Sequence, residues 1–107
     1  MKTKIALIAL VTLLVLPWSV LLLNRGQAAV LFVGLYELAI GYNAGIPAEC
    51  PFTDAGGNDA ILKMYGLGIT AGTSATTYSP DAPLKLYQAL LFAGKTLQRI
   101  EEYYATQ

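Results

Sequence analysis

The sequence predicts an all-α chain: an N-terminal hydrophobic helix, then a small helix-loop-helix domain. Three observations carry this expectation. Residues 5–16 are apolar apart from Thr12. Apolar residues recur at three- and four-residue steps from Leu86 to Tyr104, the spacing of one helix face. Ahead of that stripe lies Gly68-Ile69-Thr70-Ala71-Gly72, followed by a small-residue loop and Ser79-Pro80-Asp81-Ala82-Pro83. These residues supply a helix exit, two tight bends and turn chemistry. A chain of 107 residues has room for one small domain and one targeting or anchoring segment. The expected division is 1–25 signal peptide or membrane anchor, 26–47 apolar helix and linker, and 48–107 the small domain.

Met1-Lys2-Thr3-Lys4 is a short basic lead into the apolar run. Two readings of the run are open. As a secretory signal peptide it is broken by Pro17, and Gly26-Gln27-Ala28 offers small residues ahead of a cleavage site. As an anchor it extends from Ile5 to Leu23, 19 residues, enough to span a bilayer with the N-terminal lysines inside. Leu21-Leu22-Leu23-Asn24-Arg25 makes a poor cleavage region, which favours the anchor. Both readings send the rest of the chain across the membrane.

The second apolar segment carries Val30, Leu31, Val33, Leu35, Leu38 and Ile40. Glu37 within it is costly in lipid, and Arg25 leaves no room for a hairpin loop. A helix packed on the following domain is expected, with Gly41-Tyr42-Asn43-Ala44-Gly45-Ile46-Pro47 as stop and linker. In the small domain, Asn58 is the candidate N-cap of a helix from Asp59 to Leu67 that buries Ile61, Leu62 and Tyr65. The second helix is expected from about Ala82 to Tyr104, with Asp81 as N-cap and Pro83 in the first turn. Leu86, Leu90, Ala93, Leu97, Ile100 and Tyr104 form its apolar stripe. Gly94 inside the stripe predicts a close helix–helix contact.

Composition excludes several function classes. Hydrophobic residues make up 55% and charged residues 13%. The first 25 residues carry Lys2, Lys4 and Arg25 and no acid, while the remainder carries four bases against seven acids. No basic patch is present to attract nucleic acid. Histidine is absent and Cys50 is alone. This removes His-based acid–base catalysis, Ser-His-Asp and Cys-His pairs, and Cys/His zinc sites. No enzyme activity, no cofactor and no metal are expected. Cys50 reads as an idle thiol or an interchain partner. Tyr36, Tyr65, Tyr87 and Tyr104 read as core or interface residues with a wet hydroxyl, or as a stacking surface for sugars.

Several residues stand in a familiar order. Phe52-Thr53-Asp54 is an aromatic-x-Asp opening. Ala60-Ile61 with Tyr65 starts a first helix. Gly68-Ile69 with Gly72, then Tyr78-Ser79-Pro80 with Pro83, lead to a second helix. In this order the chain resembles the S-layer homology family, small domains that hold proteins on bacterial cell envelopes. The resemblance runs from about residue 52 to 98. Asn24-Arg25-Gly26-Gln27 also looks like the opening of the family's second helix, so residues 24–43 are similar to a fragment of a preceding repeat. The chain departs from the pattern at Lys85-Leu86-Tyr87-Gln88, where the family usually has Thr-Arg-Ala-Glu. Leu86 replaces the Arg, and with it the bidentate anion clamp. The capping box of that opening is expected to be lost as well.

The resemblance implies a non-enzymatic module for cell-envelope attachment or organisation. It implies cell-wall polysaccharide or an envelope protein as partner, with the membrane met through the N-terminal segment. The glycan-binding candidates it implies are Lys85, Gln88, Asp54 and, if the preceding fragment is real, Arg25. The family's groove lies between three repeats, so one repeat needs self-association, as a homo-oligomer, or a partner with more repeats. The alternative is a membrane-anchored accessory subunit whose domain binds another protein.

Overall fold

The computed structural model describes residues 23–107. The expected N-terminal hydrophobic helix lies outside the described residues, apart from Leu23. Three helices are present among the described residues: α1 (Arg25–Ile40), α2 (Asp59–Gly66) and α3 (Leu86–Ala105). None of them is long and apolar enough to cross a membrane. The described part is thus helical, as expected.

α1 starts where its sequence supplies a full set of capping groups. The Asn24 side chain accepts from the Gln27 N–H at 2.8 Å, and the Gln27 side chain accepts from the Asn24 N–H at 3.0 Å. This reciprocal pair satisfies two otherwise orphaned donors. Gly26, Gln27 and Ala28, expected as residues ahead of a cleavage site, form the first turn of this helix. Gly41 ends it at a left-handed φ of 89°, its N–H bonded to the Glu37 carbonyl. Glu37, costly in lipid, has a polar setting here. Lys63 Nζ lies 2.9 Å from its carboxylate and the Ala44 N–H donates to it at 2.7 Å. The Lys63 hydrogen bond, aided by that amide, holds its carboxyl below the usual range.

α2 begins at the expected cap. Asn58 accepts from the Ala60 N–H at 3.1 Å and donates through Nδ2 to the Gly26 carbonyl at 3.2 Å. Ile61 is buried as expected and Leu62 is half-buried, but Tyr65 is exposed; the helix buries Met64 instead. α1 packs on both α2 and α3. The shared core joins Ala28, Ala29 and Phe32 of α1 to Ile61 and Met64 of α2 and to Ala89 and Phe92 of α3. Phe32 and Phe92 meet edge to face at 5.9 Å. A second small cluster joins Tyr36 and Ile40 to Ile100.

α3 departs from expectation at its start. Asp81 does not cap it: Ala82 N–H bonds to the Ser79 carbonyl in a turn, and the helix begins at Leu86. The cause is tertiary. Leu84 N–H donates to the Leu23 carbonyl at 3.1 Å, and Arg25 N–H donates to the Ala82 carbonyl at 2.9 Å. These bonds hold residues 82–84 extended against the start of α1, with an isolated bridge between Asn24 and Pro83. Leu84 takes a core position from this extended segment. The buried residues of α3 are Ala89, Phe92, Thr96 and Ile100; of the expected stripe Ile100 is buried and Ala93, Leu97 and Tyr104 are half-buried, but Leu86 and Leu90 are not. Leu86 and Leu90 are 52% and 50% exposed, and Tyr87 is exposed too. Gly94 makes no close contact: nothing lies within 4 Å of the place a Cβ would occupy.

Candidate functional site

The loop from Gly68 to Leu84 is shaped by backbone that few residues tolerate. Gly72 has a φ of 89°, and a Cβ there would sit 2.5 Å from the Phe52 ring and from the Thr77 carbonyl oxygen. Only glycine fits. Ser79 holds a φ of 62°, the left-handed region that side chains usually avoid. Asp54 stabilises this bend. Its two carboxylate oxygens accept the Tyr78 and Ser79 N–H groups, each at 2.9 Å. Those two amide hydrogen bonds hold the Asp54 carboxyl below the usual aspartate range, with the Arg25 charge a lesser contributor. Asp54 is thus a loop clamp that bonds amides 24 and 25 residues further along.

Arg25, the first residue of α1, lies across the other side of Tyr78. It is 3% exposed. Its Nε donates to the Tyr78 carbonyl at 2.7 Å, and the Tyr78 hydroxyl donates back to the Arg25 carbonyl at 2.7 Å. The guanidinium carbon stands 4.5 Å from the Tyr78 ring centroid and 5.5 Å from that of Phe92. Both distances fall within cation–π range. Tyr78 itself is fully buried. Burial pushes its phenol up to about 12. A buried cation normally has a carboxylate partner. The ion pairs among the described residues are Lys63–Glu37 and Arg99–Glu102, and residues 1–22 contain no acid. Arg25 is held by rings and a carbonyl instead of a direct ion pair, with the Asp54 carboxylate the charge that senses it.

The four expected site residues fall into two pairs. Arg25 and Asp54 converge on Tyr78, one through its carbonyl and ring, the other through its amide. Lys85 and Gln88 meet at the start of α3, where Gln88 Oε1 accepts the Lys85 N–H at 3.0 Å. The reciprocal box is lost as expected, since the Lys85 side chain cannot accept, and the Gln88 bond is the half that remains. The Lys85 side chain is exposed. Tyr78 and Phe92 are not among the expected site residues. Tyr78 stands in the Tyr-Ser-Pro motif, which is the signal available for it; Phe92 has none, since it looks like any core aromatic.

An exposed group of hydroxyls flanks this cluster. Thr73, Ser74, Thr77 and Ser79 bond to one another, with Thr73 and Ser79 oxygens 2.7 Å apart and Ser74 and Thr77 oxygens 2.6 Å apart.

Residues 51–90 match the family model of the S-layer homology domain. The match covers Asp54, Tyr78, Lys85 and Gln88, and Arg25 lies before it. No curated protein and no solved structure matches the chain.

Proposed function

We propose that this chain is a non-enzymatic, exported module of the cell envelope, held at the membrane by residues 5–23 and attaching to an acidic cell-wall polysaccharide. The match of residues 51–90 to the S-layer homology domain supports envelope association in general. The choice of ligand rests on one observation. Lys85, at the start of α3, is exposed and forms no ion pair among the described residues, whereas Arg25 is 3% exposed and positions the loop. An exposed ammonium of this kind suits a carboxylate or phosphate of a polymer, as a flexible point charge and not as a bidentate clamp. A single repeat offers few walls to a polymer, so binding is weak and sensitive to salt.

The test is co-sedimentation of the full chain with purified acidic cell-wall polymer. Lys85→Ala should weaken binding at least about tenfold, because it removes the exposed positive charge. Gln88→Ala should weaken it less. Circular dichroism confirms that each variant is folded. Sub-micromolar binding that survives high salt in both variants would overturn the proposal.

A further inference from the structure

α3 leaves four large side chains uncovered. Leu86, Tyr87, Leu90 and Leu91 are 52%, 60%, 50% and 55% exposed. Their spacing puts them on one face, away from the buried Ala89, Phe92 and Thr96. The face is apolar only over the first two turns. Further along it becomes Gln98, Glu101 and Glu102, all exposed. Exposed Lys85 and Lys95 border the apolar part. A contiguous patch of this kind on a small domain marks a contact surface.

Its place in the fold identifies the partner. Leu23 ends the apolar run that begins at Ile5. The Leu23 carbonyl accepts the Leu84 N–H at 3.1 Å, so the run joins the domain two residues before the patch starts. The run has no polar face. Packed on α3, a helix of that kind would bury one side and leave the other in water; a bilayer buries all of it. A cut at Gly26-Gln27-Ala28 would remove Asn24 and Arg25 with their bonds to the loop, so the fold needs the residues just after the run intact.

We infer that Leu86, Tyr87, Leu90 and Leu91 lie in the interfacial layer of the membrane from which residues 5–23 emerge. This rests on the proposed role of that run as a retained anchor. The leucines occupy the boundary of the acyl chains, the Tyr87 ring sits at headgroup level, and Lys95 meets acidic headgroups. Glu101 and Glu102, further along α3, stay in water. The domain is then oriented on the membrane as well as tethered to it.

The experiment uses the full chain in vesicles of equimolar phosphatidylcholine and phosphatidylglycerol with brominated acyl chains. Trp18→Phe removes the background emission. Tyr87→Trp then places a probe on the patch, and Tyr42→Trp a control at the far end of α1. The protein should resist alkaline carbonate extraction, Tyr87→Trp should lose most of its emission, and Tyr42→Trp should lose none. Adding Leu86→Ser, Leu90→Ser and Leu91→Ser should restore emission at Tyr87→Trp while extraction resistance persists. Release by carbonate would overturn the anchor and this inference together. Retention with an unquenched Tyr87→Trp would overturn the inference alone. In that case a blue-shifted emission assigns the patch to the chain's own N-terminal run or to a second copy.

Discussion

The two long helices open on the same four-residue frame and complete it differently. At α1 the frame is Asn24-Arg25-Gly26-Gln27, and at α3 it is Lys85-Leu86-Tyr87-Gln88. In each, the glutamine accepts the N–H of the capping residue. At α1 the asparagine returns the bond and the next residue is a buried arginine. At α3 lysine has no oxygen to return, and the next residue is a leucine half in solvent. One opening is closed by the loop across it and the other is left open. Equal local geometry therefore does not make equal sites: the chain packed over the first turn decides whether its second residue is structural or a surface contact.

The comparison breaks most visibly at that second position. Arg25→Ala should cost about 3 kcal/mol, through the lost ring contacts, the lost bond to the Tyr78 carbonyl and the space left behind. Leu86→Ala should cost under about 0.5 kcal/mol, as for an exposed site. Urea denaturation of both variants checks the difference; equal midpoints would show that the two openings are equivalent after all.

Alkali tests the same clasp without mutation. The Tyr78 phenol is held up to about 12 by burial, against an ordinary value of about 10. Below about pH 10 its stabilising contribution is complete, and it is lost as the pH rises from there through about 12. Far-ultraviolet dichroism followed upward from about pH 9 should show helix loss in that window. At the acid end the sign reverses for Asp54, whose contribution is lost as pH falls below about 4.

The caps sharpen the comparison by smaller steps. Asn24→Ala should destabilise by about 1 kcal/mol. Lys85→Asn should stabilise by about 0.5–1 kcal/mol, by supplying the missing acceptor. Asp81→Ala should stay within about 0.5 kcal/mol, since Asp81 caps no helix here. Thermal melts of the three resolve these shifts.

Local signals in the chain are legible where local chemistry decides the outcome. Asn58 before Asp59 and Gly41 after Ile40 each mark a helix end, and each does so in the structure. Gly72 is readable as a bend, though the ring and carbonyl that forbid a side chain there are not. The start of α3 is not legible locally. Helix propensity and the Asp-x-Pro pattern compete there with backbone pairing to Leu23 and Arg25, and the pairing wins. That pairing leaves Leu86 and Leu90 out of the core. The Arg25–Tyr78–Asp54 cluster is only half legible. Arg25 and Asp54 each stand in a motif, but nothing local brings together residues separated by 53 and 24 positions.

That separation has a consequence for how the chain reaches its folded state. The bonds between Arg25 and Tyr78 close a loop of 53 residues. Such closure is entropically dear and comes late relative to the formation of α1 itself. During synthesis α1 emerges well before Tyr78 exists. Its nearly complete coat of apolar residues then has no partner. Residues 51–90 can be recognised as a unit, yet they lack the helix that supplies Phe32, Ala28 and Ala29 to their core. The core around which residues 51–90 are packed is completed from outside that stretch, by α1 and by the bonds that Leu23 and Arg25 make to residues 82–84.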